Sequence, residues 1–86
     1  MKIDFTSIDE LLDWLMGRES RYEVYIAKTE NTIVAMPTVS TRPIKVGICP
    51  YKESVNNTIE KIKQVLPDME GKIYVVDKID YNIAER

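Results

Sequence analysis

Cys49 is the only cysteine in the sequence, and there is no histidine. Cys49 is therefore the one candidate thiol nucleophile. It stands in Gly47-Ile48-Cys49-Pro50-Tyr51-Lys52, between a predicted strand and a predicted helix. A thiol near a helix N-terminus can ionise more readily, because the helix dipole favours thiolate. Without histidine, Ser–His–Asp triads, Cys–His pairs and histidine metal sites are all excluded. A lone cysteine also excludes an internal disulfide and a thiolate zinc cage. The sequence is expected to hold no catalytic, cofactor-binding or metal-binding residues, and no enzyme activity.

The tetrapeptide Cys49-Pro50-Tyr51-Lys52 resembles the Cys-Pro-Tyr-Cys redox motif of glutaredoxins, including its strand-loop-helix setting. The resemblance implies thiol–disulfide chemistry and covers four residues. It fails at the fourth, where Lys52 replaces the resolving cysteine. A thioredoxin-like fold also needs further strands and helices, whereas one helix and about one strand follow Tyr51. Cys49 is expected to be a small buried hydrophobe at a strand end.

Three polar groups have a chemical reading beside a structural one. Lys52, Ser54 and the free amides of the second helix could hold a phosphate; an ordinary N-cap beside a solvated lysine explains them with less. Asp4, Asp9, Glu10 and Asp13 could bind a cation, or could complement the dipole of the first helix. Asn56, Asn57, Lys61 and Gln64 suit base edges, but Glu60 among them would face phosphates.

The formal net charge is −2. Residues 1–41 hold four basic and seven acidic side chains, and residues 42–86 hold eight and seven. Neither half has the clustered Lys and Arg of a nucleic-acid footprint, so nucleic acid is not favoured as a partner. The apolar runs are only a few residues long, which argues against a membrane span, and Met1-Lys2-Ile3-Asp4-Phe5 lacks an apolar leader. A cytoplasmic location is expected.

The elements follow from periodicity. Eleven isoleucines and eight valines against four leucines and three alanines favour a core built on a sheet. Ser7-Ile8-Asp9-Glu10 has capping-box form, and Ile8, Leu11, Leu12 and Leu15 predict a helix over 8–16 ending at Gly17. Residues 21–29 and 32–39 predict a hairpin around Thr29-Glu30-Asn31. Ser40-Thr41-Arg42-Pro43 connects to a third strand with Ile44, Val46 and Ile48 on one face, taken with Tyr22, Val24 and Ile26 as the set that faces the helices. Ser54 caps a second helix with Val55, Ile59, Ile62, Val65 and Leu66 in its stripe, and Pro67 ends it. Residues 72–78 predict a fourth strand, parallel to the third. The expectation is a single α+β domain over 1–86. It is a two-layer sandwich of order α-β-β-β-α-β, with both helices on one face of a four-stranded mixed sheet.

Strands one, two and four are apolar at both odd and even positions, so the second sheet face needs a cover. A partner is one cover. The C-terminal tail, with Ile79, Tyr81 and Ile83, is the other. Tyr25, Met36 and Tyr74 are the large side chains expected on that face. Trp14 lies beside its helix stripe and either caps the core edge or anchors a partner. The function expected is a small protein–protein interaction or regulatory module, acting as a homodimer or docking on a larger protein. The alternatives are a nucleic-acid-associated regulator using the more basic C-terminal half, and a minimal thiol enzyme using Cys49.

Overall fold

The computed structural model describes residues 1–38 and 45–79. The element order is β1 (Lys2–Asp4), α1 (Ile8–Leu15), β2 (Tyr22–Ala27), β3 (Thr32–Pro37), β4 (Val46–Pro50), α2 (Val55–Val65) and β5 (Ile73–Val76). Short 3-10 turns at Glu19–Arg21 and Pro67–Met69 lead into β2 and follow α2. The chain is an α+β protein with two helices and one mixed sheet of order β1-β4-β3-β2-β5. The expected four strands are thus corrected to five, and the order to β-α-β-β-β-α-β. The missing strand was β1. It has three residues, and only Ile3 among them is half-buried, so no alternation could announce it.

Local chemistry sets the element ends. Ser7 Oγ accepts the Glu10 N–H at 3.4 Å, while Glu10 Oε2 accepts the Thr6 N–H at 2.8 Å. The capping box therefore forms, with its return arm one residue earlier than the usual pattern. Gly17 follows the helix at φ +87°, a left-handed conformation that glycine adopts without strain. Ser54 Oγ accepts the Asn57 N–H at 3.1 Å and starts α2. The hairpin closes at Ala27↔Thr32, with Asn31 at φ +50° in a loop of four residues.

Each helix connects two strands that run parallel and have two others between them. β1 pairs parallel with β4, and β5 pairs parallel with β2. The expected fourth strand does run parallel to the expected third, but its hydrogen bonds go to β2. It occupies the far edge of the sheet.

Both helices feed one core. Leu11, Leu12 and Leu15 of α1 and Ile62 and Leu66 of α2 meet Tyr22, Val24, Ile26, Ile33, Ala35 and Cys49 of the sheet. Met69, fully buried from the 3-10 turn after α2, completes it. Val65 was expected in the α2 stripe but is 42% exposed, and Thr58 is buried on that helix instead, its hydroxyl donating to Ser54 O.

The third predicted strand is turned over relative to expectation. Ile33 stands opposite Cys49 and Ala35 opposite Gly47, so Gly47 and Cys49 face the helices. Val46 and Ile48 face the other side. The cause is the close approach of α1. A Cβ on Gly47 would lie 2.8 Å from Leu11 Cδ1 and 3.0 Å from Trp14 Cζ3, so any larger residue there would force the α1 side chains to shift. Ile44, Val39 and the connection at 40–43 lie outside the described residues.

The second face is also not bare. Val34, Met36 and Val46 form a smaller buried cluster there, with Tyr25, Ile48 and Ile79 packed against it. Ile79 is the start of the tail, and its N–H donates to Glu30 Oε1 at 3.0 Å. Tyr81 and Ile83 lie outside the described residues.

Candidate interaction surface

The residues singled out for interaction divide between the two sheet faces. Trp14 lies on the helix side. Its ring meets Tyr22 edge-on at 5.1 Å and Phe5 at 5.7 Å. The Arg18 guanidinium sits 5.1 Å over the same ring while its Nη1 donates to Trp14 O at 2.6 Å. Trp14 thus closes the rim of the main core, with a cation over its remaining face.

Tyr25, Met36 and Tyr74 share the second face. The register sets Tyr25 beside Val34 on one flank and beside Tyr74 on the other, and the two tyrosine rings stack at 5.2 Å. Met36 is only 6% exposed, so it belongs to the small cluster beneath. Tyr25 is half-buried and its phenol is pushed above its ordinary value, first by burial and then by Glu23. Tyr74 is raised chiefly by its hydrogen bond with the Glu23 carboxylate. Of these residues Tyr74 is the one open to solvent, at 41%.

Sequence reasoning passed over Val75. It points to the helix face, opposite Ile26, yet is 42% exposed, because β5 is the last strand of the sheet and the core stops short of its outer half. Tyr74 and Val75 therefore expose apolar surface on the two opposite sides of one edge strand. Among the described residues no strand lies outside β5. A pattern of four consecutive apolar residues, Ile73 to Val76, carried this signal only once the strand order was known.

Strand β4 buries the Cys49 thiol rather than presenting it. Cys49 is fully buried in the main core, and burial pushes its thiol up to about 12. A thiol held neutral is a poor nucleophile. The residues after it line a cavity of about 200 Å³ between the starts of α1 and α2, with Thr6, Ser7, Tyr51, Lys52 and Lys61 in its wall. Here the structure brings Lys52 against the first helix, which its sequence position did not suggest. Two of the polar groups around it are engaged within the chain. Lys61 Nζ lies 2.9 Å from Asp9 Oδ1, and the Thr58 hydroxyl bonds Ser54 O. Asp9 and Glu10 are accordingly a helix partner and a capping residue. Among the described residues no group of acidic and cysteine side chains could hold a metal ion. Asn56, Asn57 and Gln64 are exposed on α2. Among the described residues no helix is long and apolar enough to cross a membrane.

Comparison of the chain with protein-family models, with curated proteins and with solved structures finds no match.

Proposed function

We propose that this chain is a small, non-enzymatic protein–protein interaction or regulatory module that works as a homodimer or docks on a larger protein. Its contact surface is the Tyr25–Tyr74 stack together with the outer edge of β5. The observation that carries this reading is the pair of exposures on β5: Tyr74 at 41% and Val75 at 42%, on opposite sides of a terminal strand. An edge strand presents unpaired backbone groups as well as side chains, and proteins commonly cover or charge such edges. Here the edge is apolar on both sides. Tyrosine suits such a surface, since it offers wide apolar area and a polar tip that tolerates water before docking.

The reading moves the surface from where the sequence alone would set it. Val34, Met36 and Val46 have a cover that includes Ile79, so the middle of the second face is already filled. Contact shifts to the β5 side, where Tyr74 is open. A cytoplasmic setting accompanies the proposal, since the one cysteine is unpaired and nothing in the fold relies on a disulfide.

Backbone amide shifts recorded as the protein is concentrated test this. Shifts centred on Tyr25, Tyr74 and Val75 are expected. Shifts centred on α1 or on the cavity at Lys52 would overturn it.

A further inference from the structure

We infer that the chain's own Asp77–Ile79 segment is a strap that closes the second sheet face, and that releasing it uncovers an apolar seat built on Val34, Met36 and Val46. This goes beyond the contact surface proposed above and does not depend on it.

Burial on that face calls for a cover. Both helices pack on the other side of the sheet, where their side chains fill the main core. Val34 is nevertheless 0% exposed, Val46 2% and Met36 6%. Side chains stand roughly perpendicular to a sheet, so neighbours on one face shield each other's flanks and leave the tips open. Tyr25 and Ile48 are such neighbours, paired with Val34 from β2 and from β4. Ile79 is different. Among the described residues packed against this cluster, it is the one that comes from outside the strands. It is half-buried there and supplies cover from above.

The hairpin loop brings Ile79 to this place. The Lys28 N–H donates to Val76 O at 2.9 Å, at the end of β5. Asp77 O accepts the Thr29 N–H at 3.1 Å and the Thr29 hydroxyl at 2.6 Å. Asp77 Oδ1 lies 3.6 Å from Lys28 Nζ. Glu30 Oε1 then accepts the Ile79 N–H at 3.0 Å. Consecutive loop residues thus grip the chain as it leaves β5 and turn it from the sheet edge onto the face.

The same contacts make the strap releasable. The hydrogen bonds from Thr29 to Asp77 and from Ile79 to Glu30 are exposed, and the side chains of the Lys28–Asp77 pair are 53% and 80% exposed. Exposed bonds and ion pairs exchange readily with water and add little each. Ile79 is the single apolar anchor among Asp77, Lys78 and Ile79. Segments with few buried apolar contacts open locally at less cost than the whole fold. The ladders from β2 to β3 and from β3 to β4 are complete without the strap. Opening therefore leaves the sheet intact and bares Val34, Met36 and Val46. The bared seat takes a branched aliphatic side chain, since that is what fills it when closed.

Two variants of the full chain and one peptide test this. Ile79→Asp sets a charge against the apolar seat, which disfavours the closed strap. Binding of anilinonaphthalene sulfonate should rise about threefold or more, the mark of newly exposed apolar surface, while Trp14 fluorescence on the helix side stays native. A synthetic peptide of residues 77–86 should displace the dye. It should bind the Ile79→Asp protein about tenfold more tightly than the parent, whose seat is already filled. Should Ile79→Asp fail to fold, Glu30→Ala removes the partner of the Ile79 N–H from an exposed position and leaves the apolar contacts in place. It should raise dye binding in the same direction. In the parent, nuclear Overhauser contacts are expected from the Ile79 methyls to those of Val34 and Val46. Their absence would overturn the strap. Dye binding at the parental level in every variant that folds would overturn the seat, as would equal peptide affinity for parent and variant.

Discussion

Gly47 lies directly beneath Leu11: a Cβ built on the glycine would stand 2.8 Å from Leu11 Cδ1, inside the closest approach of real carbon atoms. Phe5 and Trp14 crowd the same point at 3.2 and 3.0 Å. Leu11 is buried and has little room to turn away. Gly47→Ala should therefore destabilise the fold by about 1–3 kcal/mol, the usual cost of overpacking. Urea unfolding followed by Trp14 fluorescence reads the loss directly. An unchanged midpoint would mean that α1 shifts without cost.

The same contact explains what the sequence could and could not reveal. Both helices were legible, because Ser7 and Ser54 cap them and leucine or isoleucine recurs at helical spacing. The hairpin was legible from Asn31 and the flanking apolar runs. The orientation of β4 was not. Ile44, Val46 and Ile48 looked like a core face by hydrophobicity, yet the helix approaches on the side of Gly47 and Cys49. A glycine inside a strand was the available hint of close approach. β1 was too short to show a period. Tyr25 and Tyr74 were legible as candidates for the second face, since parity places them there. That Tyr74 is open while Met36 is covered depends on strand order and on Ile79, which no local pattern encodes.

The capping interactions at the start of α1 divide between two side chains. Ser7→Ala should cost on the order of 1 kcal/mol. Glu10→Ala should cost a comparable amount, because Glu10 Oε2 holds the Thr6 N–H at 2.8 Å whereas the Ser7 contact is longer at 3.4 Å. Thermal unfolding of the two single variants checks this. A negligible effect from Glu10→Ala would show that its arm is not formed in solution.

The Cys49 thiol has a signed consequence for alkaline stability. Burial raises it from 9.0 to about 12 in the folded chain. The unfolded chain therefore loses this proton first as pH rises. The thiol's contribution is complete below about 9 and declines between there and about 12. Tyr22 and Tyr25, also raised by burial, add to the decline. Cys49→Ala should cost about 1 kcal/mol near neutrality, the scale of a small core truncation. It should also lose less stability than the parent between about pH 9 and about pH 12. Rapid alkylation of Cys49 in the native protein would contradict the buried, neutral thiol.

Tyr74→Glu separates association from folding. Tyr74 is exposed, so its replacement should cost the fold only about 1 kcal/mol, from the lost ring stack and the nearby Glu23. The new carboxylate would sit near Glu23 and in the middle of the proposed contact surface. Self-association should weaken at least tenfold by sedimentation. Tyr25→Glu should weaken both association and stability, because Tyr25 also packs on Val34, Met36 and Val46. Equal effects of the two changes on the fold would argue against this division of roles.

The most direct measurement is the mass of the unmodified protein by sedimentation equilibrium from about 10 µM to about 1 mM, the range in which a small interface associates. The interaction reading, in its homodimer form, predicts a rise from the mass of one chain toward that of two, reversible on dilution. A mass of one chain throughout would contradict it.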